Sequence, residues 1–166
     1  DLHLCDRRQR QMCIRDSPIM ERKEWMNLNG LWDYAVVPLG NSFPLNYDGQ
    51  ILVPFAIESS LSGVGKLLDY DSALWYQRHF EIPSDWKGKR ILLHFGAVDW
   101  KTDVWVNGIK VGTHIGGFTP FSFDVTAALR RGSNRVTVKV WDPTDLGYQP
   151  RGKTVIESSW HLVHSC

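Results

Sequence analysis

Val104-Trp105-Val106-Asn107-Gly108-Ile109-Lys110-Val111 is the stretch from which the fold is read. Asn-Gly between two β-branched runs supplies the consecutive positive φ angles that a two-residue hairpin turn requires, so the stretch predicts two antiparallel strands. Downstream, Asn134 to Trp141 places Val136, Val138 and Val140 on one face and Thr137, Lys139 and Trp141 on the other. Upstream, Arg90 to Phe95 aligns Ile91, Leu93 and Phe95. Both runs alternate with a period of two and read as half-buried strands. Further strands are expected at Gly30 to Val37, Ile51 to Val53, Ala73 to Ile82 and Phe121 to Phe123. Turns are expected at Trp86-Lys87-Gly88-Lys89 and Arg131-Gly132-Ser133-Asn134, with a short helical turn over Thr126 to Arg130. No long 3.6-residue stripe competes. The expectation is an all-β domain of two packed antiparallel sheets, a jelly-roll-like sandwich.

The 166 residues suit one domain, and 43% apolar with 22% charged residues is a globular composition. Nineteen Lys and Arg against eighteen Asp and Glu leave no electrostatic footprint for nucleic acid or an anionic membrane, and no apolar run reaches membrane length. Neither partner is expected. No cofactor or metal is expected either. Gly63-Val64-Gly65-Lys66 lacks the first glycine of a phosphate loop and is followed by Leu67, while His79, His94 and His114 lack metal-ligand spacing. The three cysteines, Cys5, Cys13 and Cys166, all lie near the ends. Composition shifts abruptly at Pro18, and within the opening stretch Arg7 to Ser17 can be encoded by a sequence resembling a sequencing-library transposase adapter read in one frame. The prefix also lacks the apolar core of a signal peptide. It is therefore expected to be an artefact outside the fold, which leaves the native N-terminus, and the choice between periplasm and cytoplasm, unassigned.

A series of collinear motifs carries a family resemblance. Trp25-Met26-Asn27-Leu28-Asn29-Gly30-Leu31-Trp32, Val53-Pro54-Phe55, Glu58-Ser59-Ser60-Leu61-Ser62-Gly63 and Trp75-Tyr76-Gln77-Arg78 are followed by His94-Phe95-Gly96-Ala97-Val98-Asp99-Trp100. Val104-Trp105-Val106-Asn107-Gly108, Gly116-Gly117-Phe118-Thr119-Pro120-Phe121, Trp141-Asp142-Pro143-Thr144-Asp145 and Gln149-Pro150-Arg151-Gly152-Lys153 complete it. The series resembles the N-terminal sugar-binding domain of glycoside hydrolase family 2, the β-galactosidase and β-glucuronidase family, over Pro18 to about Val155. The family pattern next expects Gly-Ile-Trp-Tyr-Thr-Pro. Here Trp160 to Cys166 stands instead, and a one-base shift of suitable codons for that run restores the expected residues. A frameshift between Val155 and Trp160 is therefore expected, with residues 156–166 as an altered tail.

The resemblance implies a parent enzyme that retains configuration while hydrolysing β-linked glycans in carbohydrate metabolism. Its partners would be a β-linked carbohydrate and further immunoglobulin-like and TIM-barrel domains. Its two catalytic glutamates would sit on the barrel, and Glu21, Glu24, Glu58, Glu81 and Glu157 are scattered, so no residue here is assigned a catalytic role. Asp71 matches a position where relatives offer a polar group to the sugar, and a carboxylate accepts hydrogen bonds from hydroxyls. Trp25, Trp32 and Trp86 are expected to pack within the domain. Trp100, Trp105 and Trp141, with Asp142, Gln149 and Arg151, are expected to contact sugar or a neighbouring domain. Asp99 and Asp145 are expected chiefly to order loops. The alternative is a free-standing carbohydrate-binding or interaction module.

Overall fold

The computed structural model describes residues 24–143 with the exception of residue 41. The proposed adapter prefix, the altered tail, and Asp145, Gln149 and Arg151 lie outside the described residues. Eight strands follow in order: β1 (Gly30–Pro38), β2 (Gly49–Val53), β3 (Ser72–Glu81), β4 (Leu92–Phe95), β5 (Lys101–Val106), β6 (Ile109–Ile115), β7 (Phe121–Asp124) and β8 (Ser133–Trp141). They form a six-stranded antiparallel sheet, ordered β2-β1-β3-β8-β5-β6, and a two-stranded sheet, β4-β7. The all-β jelly-roll-like sandwich read from the sequence is the observed fold.

The Asn-Gly hairpin forms as expected. Asn107 and Gly108 have φ of 52° and 82°, and Val106 pairs with Ile109. The expected turn at Thr126 is a 3-10 turn over Thr126–Ala128. Two further 3-10 turns, Ser60–Ser62 and Ser84–Trp86, were not read from the sequence.

Register sorts the side chains by face. Tyr34 pairs with Tyr76, Tyr76 with Val138, and Val138 with Val104, one row of the face turned toward the second sheet. That inner face carries Trp32, Ile51, Leu74, Val104, Val106, Val136 and Val138, and Ile57 from the β2–β3 connection packs into the same core. Leu93, Phe95 and Phe123 close it from the small sheet. Gly112 in β6 marks the close approach of the sheets: a Cβ there would fall 2.1 Å from Cε1 of Phe123.

The outer face departs from expectation. Alternation puts Thr137 on the face of β8 opposite the valines, yet it too is buried, at 4% exposure. A second cluster, Ala35, Ala73 and Trp75 with Val37, Leu39, Tyr47 and Trp105, covers this face. Trp75 stacks on Trp105 at 5.4 Å, and Phe43 meets both rings. Three residues on two strands and a loop, with Trp105 paired directly across from it, thus cover a threonine that local alternation leaves on the outer face. Trp25 is a second correction. Instead of packing inside, it is 54% exposed and stacks on His94.

Several motifs meet each other in space. Arg78 Nη1 donates to the carbonyls of Leu28 (2.8 Å) and Asn29 (3.1 Å), and Trp32 Nε1 also donates to Leu28 (2.8 Å). The segment entering β1 is thereby tied to β3. Gly117 abuts Asp99, because a Cβ there would lie 2.4 Å from Oδ1. Asn107 Nδ2 donates to Asn134 Oδ1 and to the Ala128 carbonyl, both at 2.8 Å. Asn134, fully buried, spends its own amide on the Arg130 and Gly132 carbonyls. A buried amide with all its groups bonded fixes a unique arrangement of the turns it joins.

Candidate functional site

The C-terminal end of β8 and the N-terminal end of β3 lie at one end of the large sheet, where Leu74 pairs with Val140. There Trp141 Nε1 donates to the Tyr70 carbonyl (2.8 Å), and the backbone N–H of Leu39 donates to the Asp71 carbonyl (2.7 Å). Both backbone groups on the 70–71 turn are thus held by other elements, leaving the exposed Asp71 side chain directed from an anchored loop. Trp141 pairs with Lys101, the residue after Trp100. The sandwich therefore brings Asp71, Trp100, Trp141 and Asp142 to a common end. Trp100, Trp141 and Asp142 are all half-buried.

Glu58 adds an acid that was read in the sequence only as part of a motif. Burial is the main influence raising its carboxyl above the ordinary range, and the charge of Asp142 adds to it. The residue as a whole is exposed, so only the direction of the shift bears on the site. Tyr76, on the inner face, is pushed strongly upward by burial first and by the Glu58 charge second. Glu58, in the β2–β3 connection, and Asp142, just after β8, are 84 positions apart and influence each other only in the folded sandwich. The exposed apolar side chains of Leu61, Leu67 and Tyr70 come from the connection that carries Glu58 and Asp71. Carboxylates that accept hydrogen bonds, beside aromatic faces, are the groups that hold polyols.

Trp105 is set apart. It lies four residues along β5 from Lys101, roughly 13 Å at strand spacing, on the outer face against Trp75 and Phe43. A register shift between Val104 and Trp105 interrupts its pairing with β6. Among the described residues there is no group of three or more His, Cys, Asp or Glu that could hold a metal ion.

Residues 63–160 match the family described as glycosyl hydrolases family 2, sugar binding domain. The chain is 31% identical over 139 residues to a β-galactosidase of Thermoanaerobacter pseudethanolicus, covering 80% of this chain and 19% of that protein. It is 32% identical over 145 residues to a β-glucuronidase of Felis catus, covering 76% of this chain and 22% of the relative. Among solved structures, Faecalibacterium prausnitzii β-glucuronidase superposes with a TM-score of 0.60 at 32% identity, over 74% of this chain and 22% of that one. The Bifidobacterium dentium β-glucuronidase complexed with coumarin-3-O-glucuronide gives 0.59 at 34% identity, over 69% and 19%. The chain thus spans about a fifth of the length of the curated relatives it matches. With a family match over more than half its length and the expected sandwich in place, the chain belongs to glycosyl hydrolase family 2, as its sugar-binding domain.

Proposed function

We propose that this domain forms the front of a retaining β-glycosidase, β-galactosidase-like in its chemistry, and borders an active site built by a later barrel domain. The retaining reaction uses two carboxyl groups roughly 5 Å apart, one as nucleophile and one as acid and then base. The barrel supplies both, and this domain alone does not turn over substrate. Its contribution is to position: Asp71 accepts hydrogen bonds from sugar hydroxyls, while Trp100, Trp141 and Asp142 face the sugar or the barrel wall. Gln149 and Arg151 lie outside the described residues and keep only the role the resemblance implies. The observation that carries this reading is the anchoring of the 70–71 turn, with Trp141 Nε1 donating to the Tyr70 carbonyl beside Asp71.

The test uses the enzyme encoded by the locus, resequenced through residues 155–160 and read on in frame. Hydrolysis of a chromogenic β-galactoside or β-glucuronide with retention of the anomeric configuration is expected. Asp71→Ala in that enzyme is expected to raise KM about tenfold with a smaller change in kcat, the loss of a hydrogen bond to a charged group. Inversion at the anomeric carbon, or unchanged KM with both substrates, overturns the respective part of the reading.

A further inference from the structure

We propose that Asn29, immediately before β1, is a site of spontaneous covalent modification in the folded chain, converted by water to aspartate or isoaspartate, and that the fold shields Asn107 from the same reaction. Both residues precede a glycine, Gly30 and Gly108. Asn-Gly favours this reaction because no side chain on the second residue hinders the approach of its backbone nitrogen. That nitrogen attacks Cγ of the asparagine and closes a succinimide ring, and the Cγ–Nδ2 bond breaks as ammonia leaves with the proton of the glycine N–H. Water then opens the ring. Attack at Cγ gives aspartate, and attack at the backbone carbonyl gives isoaspartate. The balance is one amide and one water for one carboxyl group and one ammonia, with no oxidant or reductant.

Local chemistry is the same at the two sites, and their surroundings differ. Asn107 is half-buried, and its amide is clasped on both sides: Nδ2 donates to the Ala128 carbonyl and to Asn134 Oδ1 at 2.8 Å, and Oδ1 accepts from the Arg135 N–H at 3.0 Å. Asn134 cannot yield, because its Nδ2 is held by the Arg130 and Gly132 carbonyls and its Oδ1 also accepts from the Arg130 N–H at 2.7 Å. Ring closure at Asn107 has to break all three bonds of its amide, which requires local opening of the turn. Asn29 is exposed and precedes the strand, so its own backbone lies outside the ladder. Its N–H donates to Asn27 Oδ1 at 2.7 Å, but among the described residues no hydrogen bond reaches its side-chain amide.

Arg78 adds an activating contact. Its Nη1 donates at 3.1 Å to the Asn29 carbonyl, the oxygen of the peptide group whose nitrogen is that of Gly30. A Cβ on Gly30 would fall 3.0 Å from the same Nη1, so the guanidinium lies directly against this peptide. A cation bonded to the carbonyl draws charge from the amide and favours the deprotonated nitrogen that attacks. The new carboxyl group forms beside Arg78, and the isoaspartate product lengthens the backbone by one carbon where Arg78 ties it to β3.

The whole 166-residue chain is aged in mildly alkaline buffer made with heavy-oxygen water, once folded and once in concentrated urea, with near-UV circular dichroism reporting its packing. Peptide mapping by mass spectrometry follows the two asparagines separately, and the heavy oxygen marks each new carboxyl group. In the folded chain Asn29 is expected to convert at least about tenfold faster than Asn107, which waits for local opening. In urea the two rates are expected to agree within about threefold, because the clasp and the Arg78 contact are gone. Equal rates in the folded chain, or a faster Asn107, overturn the proposal. A difference that persists in urea overturns it too, since the neighbouring residues and not the fold would then set the rates. Arg78→Met is expected to slow Asn29 about threefold while Asn107 keeps its rate. Arg78→Lys, which keeps the charge, takes its place if that variant does not fold, with a smaller slowing expected. An unchanged or faster Asn29 in a folded variant overturns the activating role of Arg78.

Discussion

The two faces of the six-stranded sheet are made from the same strands by different rules. The inner face is buried and mostly apolar, with Ile51, Val104, Val106 and Val136 all at 0% exposure and, in their midst, the Thr102 hydroxyl buried without a hydrogen-bond partner among the described residues. β-Branched side chains suit it because they sit in few rotamers and fill the pleat without polar atoms to satisfy. The outer face is aromatic and cationic. Phe43 remains 48% exposed, Lys139 Nζ lies 5.4 Å from the centroid of the Trp75 ring, and among the described residues buried Trp75 Nε1 has no hydrogen-bond partner. A buried donor without a partner costs about 1–3 kcal/mol. The contrast separates two tasks: one face holds the domain together by aliphatic packing, and the other keeps rings and charges at the surface.

That division is broken or sharpened most strongly by Ile51→Ala. The residue is fully buried among Trp32, Ile57 and the inner valines, so the substitution is expected to cost about 2–5 kcal/mol through lost transfer energy and residual cavity. Urea unfolding with an unchanged m value measures it. Trp75→Phe on the other face keeps most of the ring and removes the unpartnered N–H, so the expected change is within about 1 kcal/mol in either direction. A Trp75→Phe loss exceeding that of Ile51→Ala would make the outer cluster a second structural core and dissolve the distinction.

The legibility of the sequence follows the same divide. The inner face is local: Val136, Val138 and Val140 alternate within one strand, and Asn107-Gly108 announces its own hairpin, so both could be read without a partner in view. Strand order was not legible, because alternation says which face a residue takes and not which strand lies beside it. Nothing near β8 in sequence announces that it sits between β3 and β5. The burial of Thr137 was hidden for that reason, since its cover comes from Trp75, Trp105 and Phe43. The β6 strand runs to Ile115 although Gly112 interrupts its pattern, and the reason is the Phe123 ring of another strand. At the candidate site, Asp71, Trp141 and Asp142 were legible as motif positions. The influence of Asp142 on Glu58 was not, because the two lie 84 positions apart and meet only in the folded sandwich.

The inner face also needs its cover, and that cover is tied on by exposed polar groups. Asp124 ends β7, where Oδ1 accepts from the Thr126 hydroxyl (2.6 Å) and backbone N–H (3.0 Å), and Oδ2 accepts from Arg90 Nε (2.7 Å). Thr126 Oγ1 in turn accepts from the Ile91 N–H at 2.8 Å, so one carboxylate joins the exit of β7 to the entry of β4. The Thr126 hydroxyl first, then Arg90 and the Thr126 N–H, hold the Asp124 carboxyl well below its ordinary 3.8, at about 2. A depressed carboxyl pKa contributes stability above the unfolded value and loses it as pH falls through the folded value, so this contribution fades between about pH 4 and pH 2. Asp124→Asn is expected to lower the melting temperature slightly at pH 7, the smallest of these effects because the groups are exposed and solvent-screened. The wild type and variant are expected to converge as the pH approaches 2. Thermal melts at pH 7, 4 and 2 decide the matter: a difference that persists unchanged at pH 2 would place the effect in the variant amide and not in the lost charge.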